Sequence, residues 1–298
     1  MATGDTPGTG CTVAAEPGSP LEGWMPAPAP ASNGVAFDPA VAHPARIYNY
    51  WLGGKDHFPA DRKVAEEVMR LRPQVVAGAR ANRAFLARVV RFLAADCGIR
   101  QFLDIGPGLP SRGNTHQVAQ EEDPACRAVY VDNDPIVLSH ARALLTSTAP
   151  GSCDYVDADV RDTASVLAGA ARTLDFTEPV AVLLLAILHF VPDADDPGAL
   201  VATLANALAP GSYLAISHLT ADFAPEQVTA AATTYNTQAS VPVTARSHAQ
   251  VSRLFGELPV VAPGVVPVTE WRPSVAGLPH RMTADLYAGV ASVGQGRL

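Results

Sequence analysis

Three short stretches that each follow a predicted strand carry the residues most suited to chemistry. The first is Asp104-Ile105-Gly106-Pro107-Gly108, in which an acid precedes two glycines. The other two are Asp132-Asn133 and Asp159-Val160. Because parallel strands bring their carboxyl ends to one edge of a sheet, these residues are expected to meet around one ligand. Glycines at that edge let the backbone come close to the ligand.

The spacing of these residues favours an adenosine-containing ligand that carries no phosphate. Asp132 follows Gly108 by 24 residues, where a carboxylate accepts hydrogen bonds from ribose hydroxyls. Asp159 and Val160 suit the edge and face of an adenine. A dinucleotide site would need a third glycine three residues after Gly108, where the chain has Ser111, and Asp104 would repel a pyrophosphate. An amine or a cation on the ligand suits Asp104 better.

Strands and helices alternate around these stretches, which indicates an α/β fold with a mainly parallel sheet. Strands are predicted over 101–105, 128–131, 153–156, 180–188 and 213–217, and helices over 63–71, 75–97, 114–122, 135–145, 163–174, 197–209, 225–235 and 247–254. Asn114 is predicted to cap the helix that follows the glycines. Two late strands, over 258–268 and 282–293, are expected to include an antiparallel pair.

The composition excludes several classes of protein. Apolar residues make up 48% of the 298 residues and charged residues 17%, which is incompatible with a wholly disordered chain. The net charge of −8 disfavours non-specific nucleic-acid binding. The longest apolar run, 180–188, is far shorter than the roughly 20 residues of a membrane span. Four scattered cysteines show no metal-binding spacing. We therefore expect a cytoplasmic protein without a metal, with nucleic acid and membrane excluded as partners.

The chain divides into three parts by composition. Residues 1–42 are rich in proline, alanine and glycine and are expected to form a disordered tail. Residues 43–100 are expected to form N-terminal cap helices, and 101–298 the α/β core. Within the cap, the stretch 46–62 is aromatic, interrupted by glycines and charged, and does not have the pattern of an ordinary amphipathic helix or strand.

The longer motifs resemble a known family. The Asp104–Gly108 stretch, Asp132, Asp159-Val160 and the segment VAVLLLAILHFVPD are similar to class I S-adenosylmethionine-dependent methyltransferases. The segments RIYNYWLGGKDHFPADR, LDIGPGLPSRGNTHQVAQ and VYVDNDPIVLSHARALL resemble more closely the actinobacterial S-adenosyl methyltransferase family formerly filed as a domain of unknown function. The resemblance implies a Rossmann-like seven-stranded sheet of order 3-2-1-4-5-7-6, its last pair antiparallel, with S-adenosylmethionine as cofactor.

The resemblance also implies roles for individual residues. It assigns the cofactor's methionine end to Asp104, Gly106 and Gly108, the ribose to Asp132 with Asn133 beside it, and the adenine to Asp159 and Val160. Ala186 falls where a backbone carbonyl often meets the cofactor's amino group, and His116 is expected near its carboxylate.

Catalytic and substrate residues are expected at two further places. His189 and His218 follow the fourth and fifth strands, where each is a candidate general base or acceptor-orienting residue. The stretch 46–62 is a candidate lid over the cofactor or the acceptor. The side chains expected to act in that lid are Tyr48, Tyr50, Lys55 and His57.

The function expected from these features is methylation of a small molecule on oxygen, nitrogen or carbon. Two alternatives stay open at this point: a catalytically inactive S-adenosylmethionine-binding regulatory protein and an NAD-dependent oxidoreductase. The acceptor is not defined by any motif, and assembly into a homodimer is left open.

Overall fold

A seven-stranded sheet forms the centre of the molecule. The computed structural model describes Met1 and residues 38–144, 150–273 and 284–294. Its strands run in the order β3-β2-β1-β4-β5-β7-β6, with β7 antiparallel to both of its neighbours. The strands are β1 Gln101–Ile105, β2 Arg127–Asp132, β3 Ser152–Asp157, β4 Ala181–Leu185, β5 Ser212–Leu219, β6 Val266–Pro267 and β7 Leu286–Val293. This architecture confirms the sheet that the sequence predicts.

Helices cover both faces of this sheet. They are α1 Pro44–Trp51, α2 Pro59–Leu71, α3 Val75–Arg91, α4 Thr115–Glu122, α5 Pro135–Leu144, α6 Thr163–Ala170, α7 Pro197–Asn206, α8 Pro225–Asn236 and α9 His248–Arg253. The predicted Asn114 cap of α4 is present, since Gln117 Oε1 accepts the Asn114 amide N–H at 3.0 Å. Within the described residues, no helix has the length and apolar character needed to cross a lipid bilayer.

The two faces of the sheet bury separate halves of the core. Successive residues of a strand point to opposite faces, and Phe102 and Leu103 of β1 accordingly belong to different apolar clusters. Phe102 packs on the side of α3 and α4 with Trp271, whereas Leu103 packs on the side of α6 and α7. A third, smaller cluster joins α1 and α2 to α8 and includes Ile47 and Tyr235. This third cluster holds α1, α2 and α8 together over the carboxyl ends of the strands, and these three helices are called the cap below.

The expectation that 46–62 lacks an ordinary helix is wrong. The stretch contains most of α1 and the beginning of α2. The buried face of α1 carries Arg46 and Asn49 as well as Ile47, so the spacing of apolar residues alone does not reveal it. Gly53 ends the helix with φ +79°, and a Cβ on Gly54 would collide with the Asn49 amide.

Other differences from the predicted elements lie at their ends. The fourth strand stops at Leu185 rather than at 188, because a short 3₁₀ turn over Leu188–Phe190 follows it. The predicted strand 258–268 reduces to the two residues of β6 and an isolated bridge from Val260 to Ala291. Residues 145, 282 and 283 and most of the predicted tail, 2–37, lie outside the described residues. Ala42, placed in that tail, is buried, and its carbonyl oxygen accepts the Ser240 N–H.

One buried carboxylate, Asp61 of α2, holds the cap together. It accepts hydrogen bonds from the backbone N–H groups of His43 and Phe58 at 2.9 and 2.8 Å and from Arg46 Nε at 3.0 Å. His43 Nδ1 and Arg46 Nη1 lie 2.8 and 3.6 Å from an oxygen of Asp134, at the start of α5. The beginning of α1 is therefore tied both to α2 and to the loop that follows β2.

Replacing Asp61 with Asn is expected to lower the free energy of unfolding by about 3 kcal/mol, because the buried Arg46 charge loses its closer carboxylate partner and keeps only Asp134, 3.6 Å away. Urea denaturation followed by circular dichroism measures this change. Glu66→Gln on the same helix is the matched control, because it removes a carboxylate that bonds the Tyr50 hydroxyl at the surface. It should change stability by less than about 0.5 kcal/mol. Equal losses in the two variants would contradict the role given to Asp61.

Candidate functional site

A cavity of about 250 Å³ lies at the carboxyl ends of the strands, between the sheet and helices α1, α2, α3 and α8. It extends from Asp159 after β3, past β2, β1 and β4, to Asp285 before β7. Most of the predicted site residues line it: Tyr48, Asp104, Gly106, Gly108, Asp132, Asn133, Asp159, Val160, Ala186 and His189. The structure thus brings together residues that are up to 141 positions apart in the chain.

The glycine loop after β1 forms one wall of this cavity. Gly106 and Gly108 have φ of +72° and +67°, which disfavours a side chain at either position. A Cβ on Gly106 would lie 2.6 Å from Ile187 Cδ1, so the loop also needs glycine there for space. The Gly108 N–H donates to Asp132 Oδ2 at 3.2 Å, which ties the loop to the end of β2.

Asp104 is a buried acid at the end of β1, with 3% of its surface exposed. Thr115 Oγ1 donates to its Oδ2 at 2.6 Å, and it forms no ion pair with any residue that the structure describes. Burial raises the pKa of Asp104 to about 6, although the Thr115 bond and the charge of Arg83 act in the opposite direction. Burial and the neighbouring Asp134 charge likewise raise the pKa of Asp132 to about 6.

Asp159 is held by donors from its own loop and from the end of β2. Its two oxygens accept Arg161 N, Nε and Nη2 at 2.9, 2.8 and 2.7 Å and Asn133 Nδ2 at 3.0 Å. The Arg161 bonds keep the pKa of Asp159 below its usual value. A carboxylate has about four acceptor positions, so an adenine amino group would have to displace one of these donors.

His189 lies in the 3₁₀ turn after β4 and is 8% exposed. Its Nδ1 accepts the Leu219 N–H at 3.4 Å. Burial, followed by the charges of His218 and Arg246, lowers the pKa of His189 well below its usual value, so the ring is neutral. With Nδ1 as the acceptor, the ring proton is assigned to Nε2, which has no partner among the described residues.

The structure does not bring His218 to the cavity. Ser217 and Leu219 of β5 face the cavity side, and the alternation of side chains along the strand turns His218 the other way. Its Nδ1 contacts Leu219 O at 2.7 Å and its Nε2 contacts Arg246 Nη1 at 2.8 Å. Arg246 donates in turn to Leu188 O and Val191 O, so the pair supports the turn that carries His189.

Four other predicted residues also lie away from the cavity lining. His116 lies in the first turn of α4 and is buried, and its backbone N–H and its ring both contact the Tyr130 hydroxyl at 2.8 Å. Tyr50 follows Tyr48 by two residues, which places it on the opposite side of α1, bonded to Glu66. Lys55 is exposed, and the His57 ring contacts Gly54 O and Arg62 Nη1. Of the predicted lid residues, only Tyr48 lines the cavity.

Two residues of α3 line the cavity although the sequence did not single them out. Arg83 Nη2 donates to Gly113 O and Arg112 O at 2.9 and 3.3 Å, on the far side of the glycine loop. Asn82 lies one turn after Ala79 on the buried face of the helix. Asn82 could have been found from the sequence, because it is a polar residue on the apolar stripe of a predicted helix. No sequence signal marked Arg83.

Asn82 connects the cap to the ends of the strands. Its Nδ2 donates to the Tyr48 hydroxyl at 3.2 Å, and its Oδ1 accepts from Ser217 Oγ at 2.6 Å. Ser217 Oγ accepts the Ala186 N–H at 3.0 Å, and Ala186 has an unusual φ of +56°. This chain of hydrogen bonds fixes the backbone of Ala186 at the middle of the cavity.

The comparison with protein families decides the identity of the chain. The family model described as S-adenosyl methyltransferase matches residues 30–294. The chain belongs to the S-adenosyl methyltransferase family. It is therefore a methyltransferase, and S-adenosylmethionine is its cofactor.

Solved structures agree with this assignment of the methyltransferase. One is a DUF574 family protein from Streptomyces avermitilis with 44% sequence identity to this chain. The match covers 86% of this chain and 98% of that protein, with a TM-score of 0.82. A candidate methyltransferase from Thermobifida fusca shares 38% identity over 86% of this chain and 96% of its own, with a TM-score of 0.80. No curated protein matches the chain.

The residues of this methyltransferase fit the cofactor. S-adenosylmethionine carries an ammonium and a sulfonium, and the buried Asp104 supplies a carboxylate that lacks a partner of opposite charge in the described structure. Gly106 and Gly108 carry no side chain, so the backbone of the loop can come close to the cofactor. Asp132 presents a carboxylate at the end of β2, where a ribose is bound in this class of sheet.

Replacing Asp104 with Asn is expected to stabilise the cofactor-free methyltransferase at pH 8 by about 3 kcal/mol. The pKa of Asp104 is raised from 3.8 to about 6, so the folded state binds the proton more tightly and stability falls as pH rises between these values. The gain from the substitution should therefore vanish near pH 4. Urea denaturation at the two pH values measures it.

The exposed Asp96→Asn is the control and should show no such pH-dependent difference. A wild-type protein as stable as the Asp104 variant at pH 8 would mean that the fold already neutralises this carboxylate.

Proposed function

We propose that this methyltransferase methylates a small molecule bound in the half of the cavity between His189 and Asp285. One observation carries the proposal. The cavity begins at Asp132, Asp159 and Val160, which we call the nucleoside-type residues, and continues past His189 to β7 under the cap. Its volume, about 250 Å³, lies just below the roughly 300–1,000 Å³ of most small-molecule sites. When bound, S-adenosylmethionine supplies an electrophilic methyl group on its sulfonium.

The proposed cofactor contacts follow the order of the strands. Asp104 holds the ammonium, and Arg83, beside the glycine loop, holds the carboxylate of the methionine end. Asp132 accepts the ribose hydroxyls. At the far end, Val160 packs against the adenine, while Asp159 acts indirectly because its oxygens are occupied by Asn133 and Arg161.

His189 is proposed to orient the acceptor. The neutral ring with its proton on Nε2 donates a hydrogen bond to an oxygen or nitrogen of the acceptor. Removal of a proton by Nε2 would require the other tautomer and the loss of the Leu219 bond to Nδ1. The cap helices exclude water and align the acceptor, which is the main contribution an enzyme makes when the donor is already activated.

Two other functions make different predictions. An NAD-dependent oxidoreductase would place a diphosphate against Asp104 and Asp132, two buried carboxylates beside the glycine loop. Calorimetry with S-adenosylhomocysteine and with NAD separates these cofactors. An inactive regulatory protein would bind the first compound but transfer no labelled methyl group from S-adenosylmethionine to any component of a metabolite extract. Assembly into a homodimer stays a prediction that gel filtration with light scattering tests.

Arg83→Met is expected to weaken S-adenosylhomocysteine binding about 10- to 100-fold, because a hydrogen-bonded charge pair with the ligand's carboxylate is lost. Methylthioadenosine lacks the amino-acid end, so its affinity should not change. Calorimetry measures both ligands. Arg80→Met, one turn earlier and exposed, is the matched control. Equal weakening of both ligands by Arg83→Met would place the carboxylate elsewhere.

Asp132→Ala is expected to weaken both ligands, because both contain the ribose. Each lost hydrogen bond to the carboxylate contributes about 1.5–3 kcal/mol at most. The control is Asp157→Ala. Asp157 is the partner of Asp132 on the neighbouring strand β3 but does not line the cavity, so this variant loses a carboxylate near the same place without touching the proposed ribose site. Unchanged affinity of the Asp132 variant for methylthioadenosine in calorimetry would rule out the proposed ribose site.

A further inference from the structure

The end of the cavity away from the nucleoside-type residues is almost wholly apolar. Side chains of the cap and of the loops after β4 and α8 form its walls: Trp51, Val68, Phe190, Val228, Ala231 and Val243. Several of them belong to the third core cluster or pack against it, so the wall is part of the folded cap. Any polar group in such surroundings needs a partner, because an unpaired one is costly.

Two polar features interrupt these apolar walls: the ion pair of Arg72 with Asp285, and the buried hydroxyl of Tyr235, which has no partner among the described residues. Arg72 Nε and Nη2 donate to the two oxygens of Asp285 at 2.7 and 2.9 Å, and Arg72 Nη1 donates to Gln227 Oε1 at 2.7 Å. Both charged residues line the cavity and are only 7% exposed. The pair joins the end of α2 to the beginning of β7, residues 213 positions apart.

The pair has hydrogen-bonding capacity left over. A guanidinium has five N–H donors, of which three are used here, and each Asp285 oxygen accepts one bond from Arg72. Two N–H groups and two acceptor positions therefore have no partner in the part of the chain that the structure describes. The pair as a whole is electrically neutral.

A neutral ion pair that can still donate and accept hydrogen bonds favours a ligand group that does the same and carries no net charge. A hydroxyl or a lactam also donates and accepts without a net charge, so it matches Arg72 and Asp285 together. A carboxylate would bring a second negative charge next to Asp285, and an ammonium would bring a positive charge next to Arg72. Neither charge has a free counter-ion in these apolar surroundings.

We propose that the acceptor is an uncharged, mainly apolar molecule whose hydroxyl or lactam group binds the Arg72–Asp285 pair; this rests on the methyltransferase function proposed above. Strands β4, β5 and β7 are neighbours about 4.8 Å apart, so roughly 10 Å separates the His189 end from the Asp285 end. A fused bicyclic ring system with one substituent spans that distance. Its other end lies beside His189 Nε2.

The first test uses the wild-type protein and needs no variant. Calorimetry first establishes that S-adenosylhomocysteine binds. It then measures the affinities of three probes for the protein saturated with that compound. The probes are 2-quinolinone, a neutral lactam; quinoline, which accepts a hydrogen bond but donates none; and 2-naphthoate, an anion. We expect 2-quinolinone to bind about tenfold more tightly than either of the others. If S-adenosylhomocysteine itself does not bind, the proposed function fails. If it binds but 2-naphthoate is the tightest probe, or no probe binds, only this inference is overturned.

The second test removes the pair. The double variant with Arg72→Met and Asp285→Leu replaces it with apolar side chains, a change that buried pairs often tolerate. It should lose the preference for 2-quinolinone over quinoline while its affinity for S-adenosylhomocysteine stays within about twofold of wild type. Arg70→Met, exposed on the same helix, is the control. A folded double variant that keeps the preference would show that the pair only anchors α2 to β7. The wild-type probe ranking decides the question if the variant does not fold.

Discussion

The structure depends on one constraint: the carboxyl group of Asp104 is buried at the end of β1 and forms no ion pair with any residue in the described part of the chain. The Thr115 hydroxyl donates to one oxygen of Asp104, and the charge of Arg83 on α3 acts to lower its pKa, but burial has the larger effect. Such a group lowers the stability of the empty protein, because its charged form is poorly solvated. In the complex proposed above, a bound ammonium reverses that effect, so the same desolvation that raises the pKa of Asp104 strengthens cofactor binding.

The cap serves both halves of the cavity. Asp61 and Arg46 fix the beginning of α1, so that Tyr48 of the same helix reaches Asn82 and, through Ser217, the backbone of Ala186. On the other side, α2 contributes Arg72 and α8 contributes apolar wall to the end near β7. The cap therefore contributes residues to both ends of the cavity. This double role gives a physical reason for the distinctive sequence of the stretch 46–62.

The strands of the sheet and the meeting of Asp104, Asp132 and Asp159 in one cavity could be predicted from the sequence, because their signals are local. Each buried strand is a short apolar run, and Asp104, Asp132 and Asp159 stand directly after such runs. The direction of His218 depends on where β5 begins and ends, since a shift of one residue turns a side chain to the other face. The helix α1 was missed because its buried face carries Arg46 and Asn49.

The acceptor end could not be predicted for a different reason. Arg72 and Asp285 are 213 residues apart, and neither lies in a recognisable motif. Only the antiparallel return of β7 beside β5 brings Asp285 to the edge where the parallel strands end. Arg83 likewise reaches the glycine loop from a helix that precedes the whole sheet.

The central claim is that one cavity holds the nucleoside over β1, β2 and β3 and the acceptor over β4, β5 and β7. A crystal structure of the complex with S-adenosylhomocysteine tests this most directly. The account predicts the adenine beside Val160, the amino group at Asp104, and an empty apolar space between His189 and the Arg72–Asp285 pair. An adenine or homocysteine tail lodged against Arg72 and Asp285 would contradict it.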